Sequence, residues 1–434
     1  MSDYLIRLQQ TRWMTITWAA MALALGAAGC GDVPQRTAAP AQPETAPAVA
    51  AAPVAAPAAP AAPAVPPILQ VPIMPFDQAV LKAANDLFSK AQIAVPPDRH
   101  SLIIDPLVDG VTGVQSRATA DMGAKIGQLV QSSYPQFALQ PFTTASVAKA
   151  PVLLVGTFTA INNKAQVTGE RDAYRICLAL ADLRTGKIVG KAIARAQIDG
   201  TDTTPLPYFA DSPTLAPDKV TEGYVKTCQA TRVGDPIDPV YWDNIVAAAL
   251  LNDAMTAYDA RRYEDALDIY KGVARTDAGN QLRVYNGIYL ASVKLGRRDE
   301  ATQAFGRLVD YGIANNKLAV KFLFNPGSTT FVPDPAVSGQ YRAWLKEIAT
   351  HTSKTQACME IIGHTSRTGA EPVNERLSLI RAQYIKQRLE TDAPPLKART
   401  KAIGKGSQET LIGIGTDDGR DAVDRRVEFR VVGC

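Results

Sequence analysis

The sequence predicts a multidomain protein of mixed α/β and α class. An N-terminal α/β domain is followed by a short helical segment and a C-terminal domain of strands and helices. Three observations carry this. Residues 76–232 alternate helical stripes with strand-like runs, and residues 238–313 carry helical periodicity without a strand. The last hundred or so residues contain a strand, a polar turn and an amphipathic helix in close succession. A chain of 434 residues is also longer than one compact domain usually is.

Residues 1–30 have the layout of a processing segment. Arg7 and Arg12 supply a positive region, Trp13 to Ala28 is mostly apolar, and Ala27-Ala28-Gly29-Cys30 closes it with small residues before a cysteine. This resembles a signal peptide ending in a bacterial lipobox. The resemblance implies removal of the signal, acylation of Cys30 by chains such as palmitate, and anchoring in the outer membrane facing the periplasm. Gly31 stands where the inner-membrane retention signal of that class has Asp. Residues 31–75 then form an Ala/Pro-rich tether. Between Ala38 and Pro75 there is too little apolar bulk for a core. As an extended Pro-rich chain, at about 3.1 Å per residue, it spans on the order of 100 Å.

In the α/β domain, Phe76, Val80, Leu81, Ala84, Leu87 and Phe88 make one helical stripe, and Ala118, Met122, Ile126, Leu129 and Val130 a second. Leu102–Asp105, Val152–Ile161 and Tyr174–Leu183 read as strands. The last turns through Arg184-Thr185-Gly186 into Ile188–Ile198 as a hairpin, and Val220, Tyr224 and Cys228 stripe a closing helix. The order and phrases such as Leu154-Val155-Gly156-Thr157 are similar to the small periplasmic domains of the FlgO, LpoB and CsgG group. That resemblance implies an assembly or regulatory module and names no ligand.

In the helical segment, Arg262-Tyr263-Glu264-Asp265-Ala266-Leu267-Asp268-Ile269-Tyr270 recurs as Arg297-Arg298-Asp299-Glu300-Ala301-Thr302-Gln303-Ala304-Phe305. The spacing is close to the ~34 residues of a tetratricopeptide repeat. Two repeats fall short of the ~3 needed for a freestanding solenoid, so they are expected to pack on a neighbour, chiefly as a spacer.

Residues 318–434 close the chain. Met359, Ile361 and Gly363 alternate with Glu360, Ile362 and His364 as a strand. A turn over Thr365–Gly369 leads to a helix beginning near Pro372, with the expected buried stripe Val373, Leu377, Ile380, Tyr384, Ile385 and Leu389. Gly363-His364-Thr365-Ser366-Arg367-Thr368-Gly369, Asn374, Leu377-Ser378-Leu379-Ile380-Arg381-Ala382 and Asp424-Arg425-Arg426-Val427-Glu428 together resemble the OmpA-like peptidoglycan-binding domain. An opening strand Val320–Phe324 and a Gly404-Lys405-Gly406 turn fit as well, and the resemblance implies a mixed-sheet domain of βαβαβ-β order. The resemblance implies that the domain grips the diaminopimelate side chain of peptidoglycan. Arg381 would take its carboxylate, Ser366, Thr368 and Asn374 would line the notch, and Arg425 would stand near the rim. The family has an aspartate for the ammonium where this chain has Ser366, which offers only a neutral hydrogen bond.

Lys and Arg total 46 against 42 Asp and Glu, and no basic run is interleaved with aromatics, so nucleic acid is not an expected partner. Of five cysteines, four remain once Cys30 is acylated, and four allow three pairings. Cys177–Cys228 and Cys358–Cys434 keep each bond within one domain, and an exported location permits both. In the OmpA-like arrangement the strand starting near Cys358 and the strand ending near Cys434 would lie side by side.

The histidines His100, His351 and His364 sit in separate contexts, with no HExxH, GxSxG or P-loop spacing, so neither an enzyme nor a cofactor is expected. Asp417, Asp418, Asp421 and Asp424 lack EF-hand spacing and read as a solvated loop. The function expected is an outer-membrane lipoprotein binding peptidoglycan non-covalently and tethering the envelope. The alternative is an assembly or regulatory lipoprotein whose N-terminal or repeat region binds a protein partner.

Overall fold

The computed structural model describes residues 67–93, 99–214, 216–316, 318–325, 327–416 and 420–434. The signal segment, Cys30 and nearly all of the Ala/Pro-rich tether lie outside the described residues.

The first sheet has the order β1-β7-β6-β5-β2-β4, with β3 paired to β5. Its strands are β1 (Ile73–Met74), β2 (His100–Ile104), β3 (Val108–Asp109), β4 (Phe137–Gln140), β5 (Val152–Ile161), β6 (Ala173–Asp182) and β7 (Lys187–Ala196). β5, β6 and β7 form an antiparallel meander, while β1, β2, β3 and β4 pair in parallel. Helices α1 (Phe76–Ser89) and α2 (Arg117–Ser133) cover one face, and α3 (Lys219–Gln229) covers the other. Every residue of β5 is buried. A strand covered on both faces has no solvent side to mark with polar residues, which is why β5 reads as one apolar run.

Helix α4 (Ile245–Asp259) belongs to two cores at once. Ile245, Ala248 and Ala249 pack with the first sheet, whereas Leu251, Ala254, Met255 and Tyr258 face the repeats. Its small residues let both neighbours approach. Helices α5 (Tyr263–Ala274), α6 (Leu282–Lys294) and α7 (Arg298–Asn315) continue the stack, with Ala266, Tyr270, Ala301 and Phe305 all buried.

The second sheet has the order β10-β9-β11-β8, built from β8 (Leu318–Val320), β9 (Cys358–Gly363), β10 (Thr400–Gly404) and β11 (Val427–Val432). β9 and β10 are parallel, and β11 runs antiparallel to both β9 and β8. Helices α8 (Tyr341–Ser353) and α9 (Glu371–Asp392) lie on one face. The order is the βαβαβ-β succession expected. The opening strand, however, ends at Val320, and Phe322 and Phe324 instead enter an aromatic cluster with Phe331 and Tyr341.

The repeats are more than a spacer. The Trp344 indole on α8 donates from Nε1 to the Tyr289 hydroxyl of α6 at 2.6 Å and stacks on Phe305 of α7 with ring centres 5.7 Å apart. One hydrophobic core therefore runs from α4 to β11.

Cys358 and Cys434 are joined. Cys177 and Cys228 are buried with their sulfurs 2.6 Å apart, so β6 and α3 bring together the two cysteines that the expected pairing joins.

Gly287 on α6 permits the closest approach in the stack. A Cβ there would stand 2.3 Å from the Tyr270 ring, which is fully buried and has no room to swing. Gly287→Ala is expected to destabilise the protein by ~1–3 kcal/mol, the usual cost of overpacking. Because the core is shared, urea unfolding followed by circular dichroism and by tryptophan fluorescence should shift together. A shift in only one signal would show that the segments unfold independently.

Candidate functional site

Gly363 ends β9 directly beneath α9. A Cβ there would lie 2.0 Å from the Ser378 carbonyl oxygen, and one on Gly404 would lie 2.6 Å from the Glu375 carbonyl. Helix backbone thus rests on strand backbone, which only glycine permits. The face of α9 pressed into this seam is Asn374, Ser378, Arg381, Ala382, Ile385 and Leu389. The stripe expected from hydrophobicity is rotated in the first half of the helix. Val373 and Ile380 are exposed, Leu377 and Tyr384 are half-buried, and only Ile385 and Leu389 are buried as expected. Small polar residues win the inward positions because bulkier ones would lift the helix off the glycines.

Each inward polar group is tied down. Ser378 Oγ accepts from the Gly406 amide at 2.9 Å and donates to the Glu375 carbonyl at 2.8 Å. Asn374 Nδ2 donates to the Thr368 carbonyl at 3.3 Å, and the Thr365 amide donates to Gly406 O at 2.9 Å. The Glu371 carboxylate accepts from the Ser407 amide at 3.0 Å and from its hydroxyl.

Arg381 has 0 % exposure. Its guanidinium lies 5.0 Å from the centre of the Phe324 ring, and Nε and Nη2 donate to the carbonyls of Ser328 and Asn325, each at 3.0 Å. It faces the segment after β8, where Phe324 and two carbonyl oxygens seat the buried cation.

Ser366 and Asn374 are buried beside this seam, and Thr368 is exposed, contributing its carbonyl. Arg425 does not stand at a rim. It is buried and paired with Asp421 Oδ1 at 2.9 Å. The aspartates read as a solvated loop are also placed otherwise. Asp421 and Asp424 are both fully buried. Asp424 accepts from the amides of Leu411, Ile412 and Gly413 at 2.7, 2.9 and 2.8 Å, so it folds the β10–β11 loop around itself. Asp417 and Asp418 lie outside the described residues.

The N-terminal domain grips the same loop. Arg171, at the β5–β6 turn, donates to Thr410 O at 3.2 Å, and Glu170 lies 3.8 Å from the Arg367 guanidinium. Nothing in the sequence pattern pointed to Arg171, whose partner is more than two hundred residues away. Among the described residues there is no cluster of side chains able to hold a metal ion, and no helix long and apolar enough to cross a membrane.

No family model matches the chain, and no curated protein matches it. Solved structures give partial likenesses. The peptidoglycan-associated lipoprotein from Burkholderia pseudomallei is 24 % identical, covering 27 % of this chain and 91 % of that one, with a TM-score of 0.23. The cell wall anchor of the type VI secretion system from Pseudomonas aeruginosa is 20 % identical over 30 % of this chain and 97 % of that one, with a TM-score of 0.24. LpoB from Escherichia coli is 14 % identical over 43 % and 96 %, with a TM-score of 0.18.

Beside the seam, Glu428 is paired with Arg426 Nε at 2.5 Å and lies 3.7 Å from His364 Nε2. Burial raises the Glu428 pKa, but Arg426 and His364 more than offset this and hold it at about 2. A carboxyl depressed below its ordinary ~4.3 stabilises the fold above that value, and the contribution is lost as pH falls toward 2. His364, kept neutral by burial and by Arg426, adds a loss that begins as pH drops below the ordinary imidazole value of ~6.5. Glu428→Gln should lower stability at pH 7 and flatten the stability profile between about pH 4.5 and 2. An unchanged profile would show that the pair contributes nothing.

Proposed function

We propose that this chain is a non-enzymatic envelope lipoprotein whose C-terminal domain binds peptidoglycan through the diaminopimelate stem and so tethers the wall to the outer membrane. The observation that carries this is the buried polar face Asn374–Ser378–Arg381, set by glycine contacts at the end of β9 and β10 beside the Ser366 turn. Arg381 Nε and Nη2, which donate to carbonyl oxygens, present the planar fork that pairs bidentately with a carboxylate. The bonds to carbonyl oxygens are already charge-assisted by the guanidinium, and a carboxylate adds the attraction of opposite charges to them. Binding is therefore favourable and modest, and the neutral hydroxyl of Ser366 adds little for the ammonium.

A second reading, partner binding during envelope assembly, is favoured by Val240, Trp242 and Val246, which stand exposed at the start of the helical segment. Sacculus pull-down with the full-length protein separates the two.

Arg381→Lys keeps the charge but loses the planar fork, and should weaken sacculus binding tenfold or more. Ser366→Asp supplies an ammonium partner and should tighten it. If thermal melts show both variants folded and neither alters binding, the seam is not the wall site. For the anchor, Cys30→Ser should move the protein from the membrane to the soluble periplasmic fraction, since each buried acyl CH₂ contributes about 0.8 kcal/mol. Retention of the variant in the membrane would remove the lipid anchor from this proposal.

A further inference from the structure

The outer face of the second sheet, opposite α8 and α9, is roofed by Val111, Thr112, Ala216 and Pro217 of the N-terminal domain. A cleft of about 270 Å³ remains between them. Strand alternation decides what faces it. Leu318, Val320, Val427 and Phe429 point inward to the core, so Ala319, Lys321, Arg426 and Glu428 point outward. The pairs Val427↔Val320 and Val427↔Gly363 carry the register one step on to Lys321, Arg426 and His364. The His364 amide, donating to Arg426 O at 2.9 Å, continues that ladder. Lys321 and Arg426 therefore stand side by side in one row across the sheet, with the neutral His364 beyond them, and like charges side by side are unfavourable.

Their neighbours do not balance them. Lys321 is 8 % exposed, and its ammonium donates to Ala210 O at 2.6 Å. Among the described residues no carboxylate pairs with it. Asp211, the nearest acid acting on it, is paired instead with Lys294 at 2.9 Å. Arg426 is 3 % exposed. Its Nε pairs with Glu428 and its Nη2 donates to Glu409 O, while Nη1 finds no acceptor among the described residues, nor does His364 Nδ1. The Glu409 carboxylate is paired with Lys405 at 3.0 Å. Glu428 is engaged with Arg426 and His364, which leaves Lys321 without a carboxylate partner among the described residues. A buried, uncompensated cation beside an open cleft is stabilised by an anion entering that cleft.

We propose that this cleft binds a small molecule bearing a carboxylate or phosphate group, held between the Lys321 ammonium and the Arg426 guanidinium. Val111, Pro217, Ile362 and Leu411 supply apolar walls, so the body carrying the anion is partly apolar. The site lies on the face of the sheet opposite the wall notch, and the two proposals stand or fall separately.

Calorimetric titration of the full-length protein with inorganic phosphate and with acetate, ionic strength matched by sodium chloride, tests it. A saturable site that Lys321→Met removes is expected, and the anion bound more tightly there identifies the class. Lys321→Met should weaken binding tenfold or more while the melting temperature holds or rises, because a buried ammonium gives way to an apolar chain of similar volume. Burial holds the Lys321 pKa at about 8, with Asp211 opposing, so wild-type binding should weaken about tenfold from pH 7 to pH 9. Failure of both anions to bind, or indifference of the titration to Lys321→Met, would each overturn the proposal.

Discussion

The contact of Trp344 with Phe305 and Tyr289 turns a two-repeat helical segment into the outer wall of the C-terminal domain. Two repeats expose an apolar face that a third would normally cover. Here α8 takes that place, and Tyr208 closes the opposite side of the stack by bonding Asn286 Nδ2 at 3.0 Å. The C-terminal sheet inherits a fixed position relative to the N-terminal domain, and the cleft above Lys321 and the grip of Arg171 on the β10–β11 loop both depend on it.

Strand and helix positions in the α/β domain were legible because apolar periodicity there reports burial directly. β5 and α1 fall where the pattern places them, within a residue or so at their ends. β4 and the two-residue strands were not legible, since four residues or fewer give no period to count. The error in α9 has another origin. Periodicity assumes that the inward face is the apolar one, and the two glycines beneath this helix reverse that. A polar face seals a backbone-to-backbone seam once every polar atom is matched, as Ser378 and Asn374 show.

The candidate site divides in the same way. Arg381, Asn374 and Ser366 were legible as members of a motif, and burial then places them together beside one seam. Arg425 was misplaced because its partner, Asp421, sits one helical turn back and claims the guanidinium within the loop itself. Arg171 and Lys321 were invisible for a physical reason. Their roles arise from pairing elements distant in sequence, and no local pattern encodes a neighbour that tertiary structure brings in.

Both cation sites use one device. Arg381 and Lys321 are each buried against backbone carbonyl oxygens, Asn325 and Ser328 for the first and Ala210 for the second. Around Lys321 the Ala210 carbonyl solvates the buried cation well enough to keep the fold intact, yet neutralises no charge. The fold therefore tolerates that site empty while leaving it poised for an anion. A carboxylate built into the chain at the same place would bind more strongly and permanently, and would abolish the site. At Glu428 the chain did use a carboxylate, which holds Arg426 Nε and leaves Nη1 without an acceptor among the described residues. Lys321, with a neutral acceptor only, carries most of the demand for an anion.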